Sequence, residues 1–419
     1  MARKAGPTAP GAEHAKHARM VMISDNFQPH RPGLFCSVFL LGALCVLGGG
    51  TSPLSAVDVE ALSADGTWLR GAATVADGKL SVGGKTIPIE HLVVARRNVA
   101  LSSAIDQAVV LADGSVIGGV VVSLQADQVK LAADQLGELT ISAKQIAAIV
   151  LTAQVLASLS TDGAPGAVLA NGDLLPGNTA FINDQSVGIN TGKKIIDIAR
   201  ERIAVVRLTT TRAATAMAGP LQYLRLAGGD LIGGKLKSLD AQRAVIDTAL
   251  AGTVSVPVGL IAALWSEGSA LTPLATLTPK VRQVAWFDET WPLKTDRNLL
   301  GGFLVVAGKR AERGLGCHSR CELTYALDGS YSGLVCEVGL DAAGGGRGEV
   351  AFQVFVDGKA LANVALRGND AARTIAVPLA GAKLLQLVVD PGVDGRGTGD
   401  HADWCWPVLV KGVVPVAQQ

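Results

Sequence analysis

Short runs of alternating apolar and polar residues follow one another along the chain from about residue 57, and turn residues separate them. The run TVSVPV at 253–258, for example, has the alternation of a strand with one buried face. Long stretches with the apolar spacing of an amphipathic helix are hard to find. The pattern therefore predicts an all-β chain of many short strands joined by tight turns.

A short motif occurs three times in the middle of the chain. LADGSVIGG at 111–119 matches LANGDLLPG at 169–177 and LAGGDLIGG at 226–234, so the turn glycine recurs at intervals of 58 and 57 residues. A shorter copy has its turn at Asp65-Gly66. The chain is therefore built in part from an internal repeat.

Each copy has the features of a small β unit. Asp-Gly and Asn-Gly supply the positive φ of a tight hairpin turn, and the glycine five residues further on permits a bulge in the next strand. The units have the size of a five-stranded barrel, and the motif resembles Sm-like and SH3-like barrels. A propeller or a solenoid stays open as the alternative, because fixed periods occur there too. We expect a partial repeat at 57–100 and repeats at 101–157, 166–210 and 220–267.

Three segments rich in Ala, Thr, Ser, Gly and Pro separate these units. They are Thr152–Val168, Thr209–Pro220 and Glu267–Pro279. The repeats hold a single histidine, His91, and neither cysteine nor clustered acids, so they lack the side chains that catalysis needs. We therefore expect the repeats to act as spacer or protein-contact modules.

The composition changes from about Leu274 onward. Four of the six tryptophans lie here, and turn signals such as Asp328-Gly329 separate strand-like runs. These runs are at 303–307, 322–326, 333–339, 350–356, 374–379 and 383–389. Six or more short strands at such spacing predict a β-sandwich or jelly roll.

The same region contains a series of short motifs. They are GLGCHS at 314–319, LTY at 323–325, VGLD at 338–341, FQVFVDG at 352–358, GAKLLQL at 381–387 and GDHADW at 399–404. In order and spacing these motifs resemble the NPCBM/NEW2 domain, a carbohydrate-binding module associated with glycosyl hydrolase family 98, over about residues 274–413. The resemblance implies a galactose-binding-like β-sandwich that is ancillary to catalysis, with galactose-type glycans as first ligands.

A sugar presents apolar C–H faces and many hydroxyl groups, so its site needs an aromatic platform with fixed donors and acceptors. Residues with that chemistry are His318, Asp400, His401, Asp403, Trp404 and Trp406. A structural interpretation stays open for the same residues. Simple alternation places Trp404 and Trp406 on one face of a strand, where both could be core residues. The acids could hold a loop in place by accepting hydrogen bonds from backbone N–H groups.

Two alternative ion sites can be proposed for this region. Calcium suits oxygen ligands on a flexible loop, and a glycine-rich stretch carries four acids: Asp390, Asp394, Asp400 and Asp403. The spacing Cys317-x-x-x-Cys321 with His401-x-x-x-Cys405 imitates a zinc site instead. We expect no required cofactor, and a structural calcium is the first ion to test.

The cysteines of the C-terminal region are the disulfide candidates. They are Cys317, Cys321, Cys336 and Cys405. An even number of cysteines in an exported domain favours disulfides, with three possible connectivities.

The first 56 residues predict a signal or targeting region. A basic stretch from Arg3 to Arg19 precedes the apolar run 34–48, which is shorter than the roughly 20 residues that a membrane span needs. Small residues follow up to Ala56, where we place cleavage; an uncleaved anchor is the alternative. The protein is therefore expected in the periplasm, at the cell surface or outside the cell.

Charge and motif content limit the remaining functions. The 37 basic and 36 acidic residues balance, and no basic stripe points to nucleic acid. Residues 329–333 (GSYSG) have a tyrosine where a nucleophile elbow has serine, and no helical pattern follows GRGTG at 395–399. We predict an exported carbohydrate-binding protein without catalysis of its own. The alternative is a structural or assembly protein of the cell envelope that uses its β modules for protein contacts.

Overall fold

The structure of this 419-residue chain is a computed structural model. It describes residues 58–156, 163–208, 219–249, 252–286 and 288–416. The expected signal region at 1–56, with Cys36 and Cys45, lies outside the described residues. Within the described ranges, none of the helices has the length and apolarity of a membrane span.

Strands dominate the described residues, which confirms the all-β prediction. The repeat region forms four small barrel-like units, in which a one-turn 3-10 helix precedes the last strand. The first two units and their flanks contain β1 (Asp58–Ser63), β2 (Trp68–Ala76), β3 (Lys79–Val82), β4 (Lys85–Pro88), β5 (Leu92–Arg96), β6 (Ala104–Ile105), β7 (Ala108–Leu111), β8 (Val116–Gln125), β9 (Gln128–Ala133), β10 (Gly137–Ser142), β11 (Ile146–Val150) and β12 (Gln154–Val155). The last two contain β13 (Gly166–Leu169), β14 (Leu174–Pro176), β15 (Asn178–Ile182), β16 (Ser186–Asn190), β17 (Ile195–Ala199), β18 (Ile203–Arg207), β19 (Leu221–Leu226), β20 (Leu231–Leu239), β21 (Arg243–Thr248), β22 (Gly252–Pro257) and β23 (Ile261–Glu267).

The first and last strands of every unit pair with each other, so each unit curls around its own apolar side chains. On β9, Val129 and Leu131 are buried while Gln128 and Lys130 are exposed, as expected for a strand with one face in the core. The stretch 57–100, which we expected to be a partial repeat, contains five strands.

The repeated glycines have the conformations that the motif predicted. In the second unit Gly114 has φ of +90° in the turn, and Gly119 has φ of +148° in the next strand. A Cβ on Gly119 would lie 2.3 Å from the carbonyl oxygen of Ala132 on the neighbouring strand, which excludes any side chain there. The strand register shifts between Val121 and Ser123, so a bulge follows the glycine.

The four units associate in two nested pairs. The last strands of the first and fourth units, β5 and β23, pair antiparallel, and so do the last strands of the second and third units, β11 and β18. Further bridges repeat this arrangement, between β2 of the first unit and β20 of the fourth and between β8 of the second unit and β15 of the third. A bridge from Leu231 to Val116 connects the two pairs. Each unit therefore shares main-chain hydrogen bonds with its neighbour.

The C-terminal region is a β-sandwich of two antiparallel sheets. Its strands are β24 (Leu271–Pro273), β25 (Lys280–Gln283), β26 (Lys294–Thr295), β27 (Leu304–Val306), β28 (Lys309–Ala311), β29 (Gly314–His318), β30 (Cys321–Ala326), β31 (Gly333–Leu340), β32 (Glu349–Val356), β33 (Lys359–Arg367), β34 (Arg373–Pro378), β35 (Leu384–Pro391) and β36 (His401–Val410). One sheet has the order β26-β29-β36-β31-β34, with β24 beside β36, and the other has the order β25-β30-β35-β32-β33. Apolar side chains from both sheets, including Phe352 of β32 and Trp404 of β36, fill the space between them.

The segment Glu267–Pro279, which we expected to be a linker, is built into the sandwich instead. Leu271 on β24 pairs with Val410 on β36. Leu271 and Leu274 are buried, because both side chains enter apolar clusters. The composition of this segment resembled a linker, but the buried side chains of Leu271 and Leu274 anchor it.

A second apolar cluster joins the sandwich to the first and fourth units. It contains Leu62 and Val94 of the first unit, Trp265 of the fourth and Trp406 of the sandwich. Beside it, the Arg96 guanidinium donates hydrogen bonds of 2.5 and 3.0 Å to the Glu337 carboxylate. The sandwich thus covers apolar surface of the repeats, and the two regions form one packed body.

Candidate functional site

A pocket of about 270 Å³ opens at one end of the sandwich, where β29 ends and β36 begins. We call it the tryptophan–histidine pocket, because two indole and two imidazole rings line it. The lining residues are Trp286, Glu289, Trp291, His318, Gly397, Thr398, Gly399 and His401.

Strand pairing places the two histidines side by side. His318 is the last residue of β29 and pairs with His401, the first residue of β36, and their ring centroids are 6.2 Å apart. The Trp291 ring stacks on His318 at 5.7 Å and an interplanar angle of 14°. Burial lowers the pKa of His401, and the neighbouring His318 lowers it further, so the His401 ring is neutral near pH 7. A neutral imidazole can both donate and accept a hydrogen bond.

The connection between β25 and β26 supplies both tryptophans. Trp286 and Glu289 exchange two backbone hydrogen bonds of 2.9 Å, and Asp288 between them has φ of +67°, so a tight turn fixes this loop. The Arg320 guanidinium lies 3.6 Å from the centre of the Trp286 ring. A Cβ on Gly397 would come within 2.7 Å of that ring, so the absence of a side chain at Gly397 lets the ring lie flat against the loop.

Two polar ring atoms in the pocket lining are buried without a protein partner. They are Nε1 of Trp286 and Nδ1 of His401. A buried polar atom without a hydrogen bond costs on the order of 1–3 kcal/mol. The pocket thus combines apolar ring faces with polar ring atoms.

Of the residues predicted to bind sugar, His318 and His401 line this pocket, but Trp404 and Trp406 do not. Trp404 is fully buried in the sandwich core, where it meets Phe352 edge-on at 5.2 Å. Trp406 is 2% exposed and packs against Trp265 at a centroid distance of 5.3 Å. Both tryptophans are core residues, so the prediction that they contact sugar is wrong.

Asp400 and Asp403 are also buried and do not line the pocket. Asp400 accepts a hydrogen bond of 3.0 Å from the backbone N–H of Glu349, as the loop-tying interpretation predicted. Burial raises the pKa of Asp400, and it raises that of Asp403 well above the usual range, with Asp341 adding to the latter shift. The candidate acids thus act on the fold around the pocket rather than on a ligand.

The expected calcium ligands do not come together. Asp394 is exposed and caps its own loop by accepting from the backbone N–H of Arg396, while Asp400 and Asp403 are buried. Within the described ranges, no group of three or more His, Cys, Asp or Glu residues could hold a metal ion. The four acids Asp390, Asp394, Asp400 and Asp403 therefore do not form one cluster, and neither do the residues of the zinc alternative. Calcium binding stays a prediction.

The four cysteines of the described region are free thiols. Cys336 packs into the sandwich core, whereas Cys405 packs into the cluster on the other face of the sheet, which separates their side chains. Cys317 and Cys321 hydrogen-bond to each other, and this contact lowers the pKa of Cys321 while it raises that of Cys317. The structure contains none of the expected disulfides among these four, and it brings one pair into contact.

Sequence reasoning did not select Trp286, Trp291 and Glu289 as site residues. The signal that could have found them is two tryptophans in a short polar stretch without strand alternation, since a large aromatic outside a strand pattern has no core to enter. The motif search favoured Trp404 instead, because it is part of the family pattern.

The C-terminal region matches a known family. Residues 274–410 match the family model of the NPCBM/NEW2 domain. A protein of Renibacterium salmoninarum named "Putative endo-alpha-N-acetylgalactosaminidase" is 32% identical over 103 residues, which are 24% of this chain and 7% of that protein. The chain therefore spans a small part of the length of this curated relative.

The chain is also similar to solved structures of carbohydrate-binding modules. A CBM51 module from Clostridium perfringens GH95, in complex with methyl-galactose, is 22% identical with a TM-score of 0.31, and the match covers 33% of this chain and 99% of that one. The tandem CBM51 modules of a family 98 glycoside hydrolase from Streptococcus pneumoniae are 11% identical with a TM-score of 0.30, covering 73% of this chain and 88% of that one. With the family match and the sandwich described above, residues 274–410 form an NPCBM/NEW2 domain, as the sequence resemblance predicted.

Proposed function

We propose that this protein binds carbohydrate without catalysis of its own, and that the tryptophan–histidine pocket is the binding site. The observation that carries the proposal is a ring-lined pocket with two unpartnered ring nitrogens in an NPCBM/NEW2 domain. The family resemblance supports a glycan ligand, and the pocket supplies the chemistry that such a ligand needs.

The pocket suits a small sugar by size and by chemistry. Its volume of about 270 Å³ lies just below the range of about 300–1,000 Å³ for drug-sized ligands, which favours one or two sugar rings. The indole of Trp291 can pack against a C–H face. Glu289 and the two histidines can exchange hydrogen bonds with hydroxyl groups, since their polar atoms accept or donate.

The pocket lacks the pair of acids that most glycosidases require. Those enzymes place two carboxyl groups about 5–10 Å apart across the scissile bond. Glu289 is the single carboxylate among the residues that line the pocket. This supports binding rather than hydrolysis.

We also propose that the protein acts outside the cytoplasm. The support is the basic and then apolar start of the chain, together with the resemblance to a module of glycoside hydrolases. Galactose and N-acetylgalactosamine are the first sugars to test, by the family resemblance and by the name of the curated relative.

The test is a glycan array followed by calorimetry on the full chain. The full chain is required because removing the repeats would expose the apolar face around Trp406. We expect dissociation constants of about 0.1–1 mM, which correspond to about 4–5.5 kcal/mol of binding free energy. Single small sites are weak because each hydroxyl contact replaces one with water.

A matched pair of variants assigns the site. Trp291→Ala should abolish binding and leave the fold intact, because this half-buried ring lies in a loop. Tyr331→Ala is the control, since Tyr331 is a half-buried aromatic just before β31, whose first residue pairs with the far end of β36. If the parent binds no glycan, with or without calcium, binding is refuted and the assembly function takes its place. An equal loss of glycan binding in both variants would indicate that the site lies elsewhere.

A further inference from the structure

A second recess lies at the junction of the first repeat unit and the sandwich. It has a volume of about 770 Å³ and adjoins a smaller recess of about 320 Å³, and Glu60, Arg70, Arg96 and Lys309 line both. We call the two together the junction cleft. We propose that the junction cleft is a second binding site, which takes an acidic oligosaccharide, a glycan that carries carboxylate groups.

Cations outnumber acids in the cleft. The larger recess is lined by five cations, Arg70, Arg96, Arg97, Lys309 and Arg310, and by two acids, Asp58 and Glu60. The smaller recess adds one cation, Arg373, and one acid, Glu337. A concave wall with an excess of positive charge attracts anions, because the low-dielectric walls concentrate the field.

The acids of the cleft do not neutralise this charge. Arg70, Arg96 and Lys309 share Glu60, while Arg96 also pairs with Glu337 and Arg310 pairs with Glu312. Neither Arg97 nor Arg373 forms an ion pair with a described carboxylate. Arg97 instead donates to the backbone carbonyl oxygens of three residues at 258–261. The Arg373 guanidinium and the remaining N–H groups of Arg97 are therefore left for an external carboxylate, to which arginine can donate two parallel hydrogen bonds.

An aromatic ring lies in the same cleft. Trp68 is half-buried, and its Nε1 donates a hydrogen bond of 2.8 Å to Oγ1 of Thr374 on the sandwich, which fixes the ring. The Arg96 guanidinium lies 4.6 Å from the ring centre. An indole ring beside guanidinium groups places an apolar surface next to partners for the carboxylate of a sugar. An acidic peptide would use only the positive charge of the cleft, whereas a saccharide would also use the tryptophan ring. The tryptophan therefore favours a saccharide as the ligand.

The inference does not depend on the tryptophan–histidine pocket, because no residue lines both sites. The test measures binding of an oligogalacturonate to the full chain by calorimetry, with a neutral galactan oligomer and poly-glutamate as comparison ligands. The variant combines Arg70→Ala and Arg373→Ala, two exposed cations of the cleft. Lys79→Ala with Lys85→Ala is the control, because it removes the same charge from exposed positions of the first unit outside the cleft.

We expect the parent and the control to bind oligogalacturonate equally, and the cleft variant to bind at least about tenfold more weakly at an unchanged melting temperature, since exposed ion pairs contribute little stability. The Trp291→Ala chain should keep this binding, which separates the two sites. Absence of binding to oligogalacturonate overturns the proposal. So does an equal loss in the control, which would indicate a general charge effect, or equally tight binding of poly-glutamate, which would assign the cleft to an acidic peptide.

Discussion

Trp404 and Trp406 are two residues apart on β36, yet their rings lie in different cores on opposite faces of the sheet. The cause is a bulge, in which Trp406 has φ of +53° and the register with β31 shifts between Val335 and Glu337. Without the bulge, alternation would place both rings on one face. The strand therefore closes the sandwich core with one tryptophan and attaches the sandwich to the repeats with the other.

Trp406→Ala should destabilise the protein strongly. The substitution removes a buried indole from the cluster that joins the sandwich to Trp265, and such losses cost about 3–5 kcal/mol. Chemical denaturation of the full chain measures the change. Trp291→Ala is the control, and we expect about 1 kcal/mol or less because its ring is half-buried. Equal effects of the two variants would contradict the packing role of Trp406.

Gly397→Ala should weaken sugar binding without unfolding the protein. The new methyl group would come within 2.7 Å of the Trp286 ring, so the ring must leave its position in the pocket. We expect about tenfold weaker binding, or about 1.4 kcal/mol. Gly259→Ala is the control, because nothing lies within 4 Å of a Cβ there. Unchanged affinity of the Gly397 variant would show that Trp286 does not contribute to the site.

The pH dependence of stability should change in Asp403→Asn. Burial, and then Asp341, raise the pKa of Asp403 above its unfolded value. A carboxyl with a raised folded pKa holds its proton more tightly in the fold, so its contribution is complete below about pH 4 and is lost as the pH rises through the folded pKa. The parent should therefore lose stability with rising pH relative to the variant, as measured by the melting temperature across the pH range.

Asp328→Asn is the control for this experiment. Hydrogen bonds from Ser330 lower the pKa of Asp328, so its contribution is present above about pH 4 and is lost as the pH falls. The two variants should differ from the parent with opposite slopes. Parallel curves for Asp403→Asn and the parent would mean that Asp403 is not preferentially protonated in the folded protein.

Mild oxidation should join Cys317 to Cys321 and leave Cys336 and Cys405 unpaired. The first two thiols are in hydrogen-bond contact, and the lowered pKa of Cys321 favours its thiolate as the attacking group. Burial raises the pKa of the other two, which suppresses their reactivity. Peptide mapping without reductant identifies the bridge, and Cys321→Ser should eliminate it. A bridge between Cys336 and Cys405 would contradict the packing.

Limited proteolysis should cut in the predicted linkers at 158–165 and 209–220 but not at 269–279, where β24 is paired with β36. The fragments should still co-elute in size-exclusion chromatography, because the β11–β18 and β5–β23 pairs connect units on either side of the cuts. They should separate in denaturant. Fragments that separate under native conditions would show that the units are independent.

The local sequence pattern determined much of this fold. The Asp-Gly and Asn-Gly turns and their following glycines predicted the repeated hairpins, because a positive φ or a close backbone approach can be inferred from the residue itself. The motifs from 314 to 404 identified the NPCBM/NEW2 domain and with it His318 and His401. The alternation of apolar and polar residues predicted the strands, and their number and spacing predicted a β-sandwich.

Only the tertiary structure decided which side chains meet. The bulge at Trp406 turns its side chain to the face of the sheet opposite to the one that alternation predicted. Such a one-residue change in strand register cannot be inferred from composition. The pairing of the first unit with the fourth is set by contacts between residues far apart in sequence, such as Ala95 with Leu264. The tryptophan–histidine pocket likewise combines a loop near 290 with strand ends at 318 and 401. Contacts of this kind depend on how the sheets pack, and local spacing does not encode them.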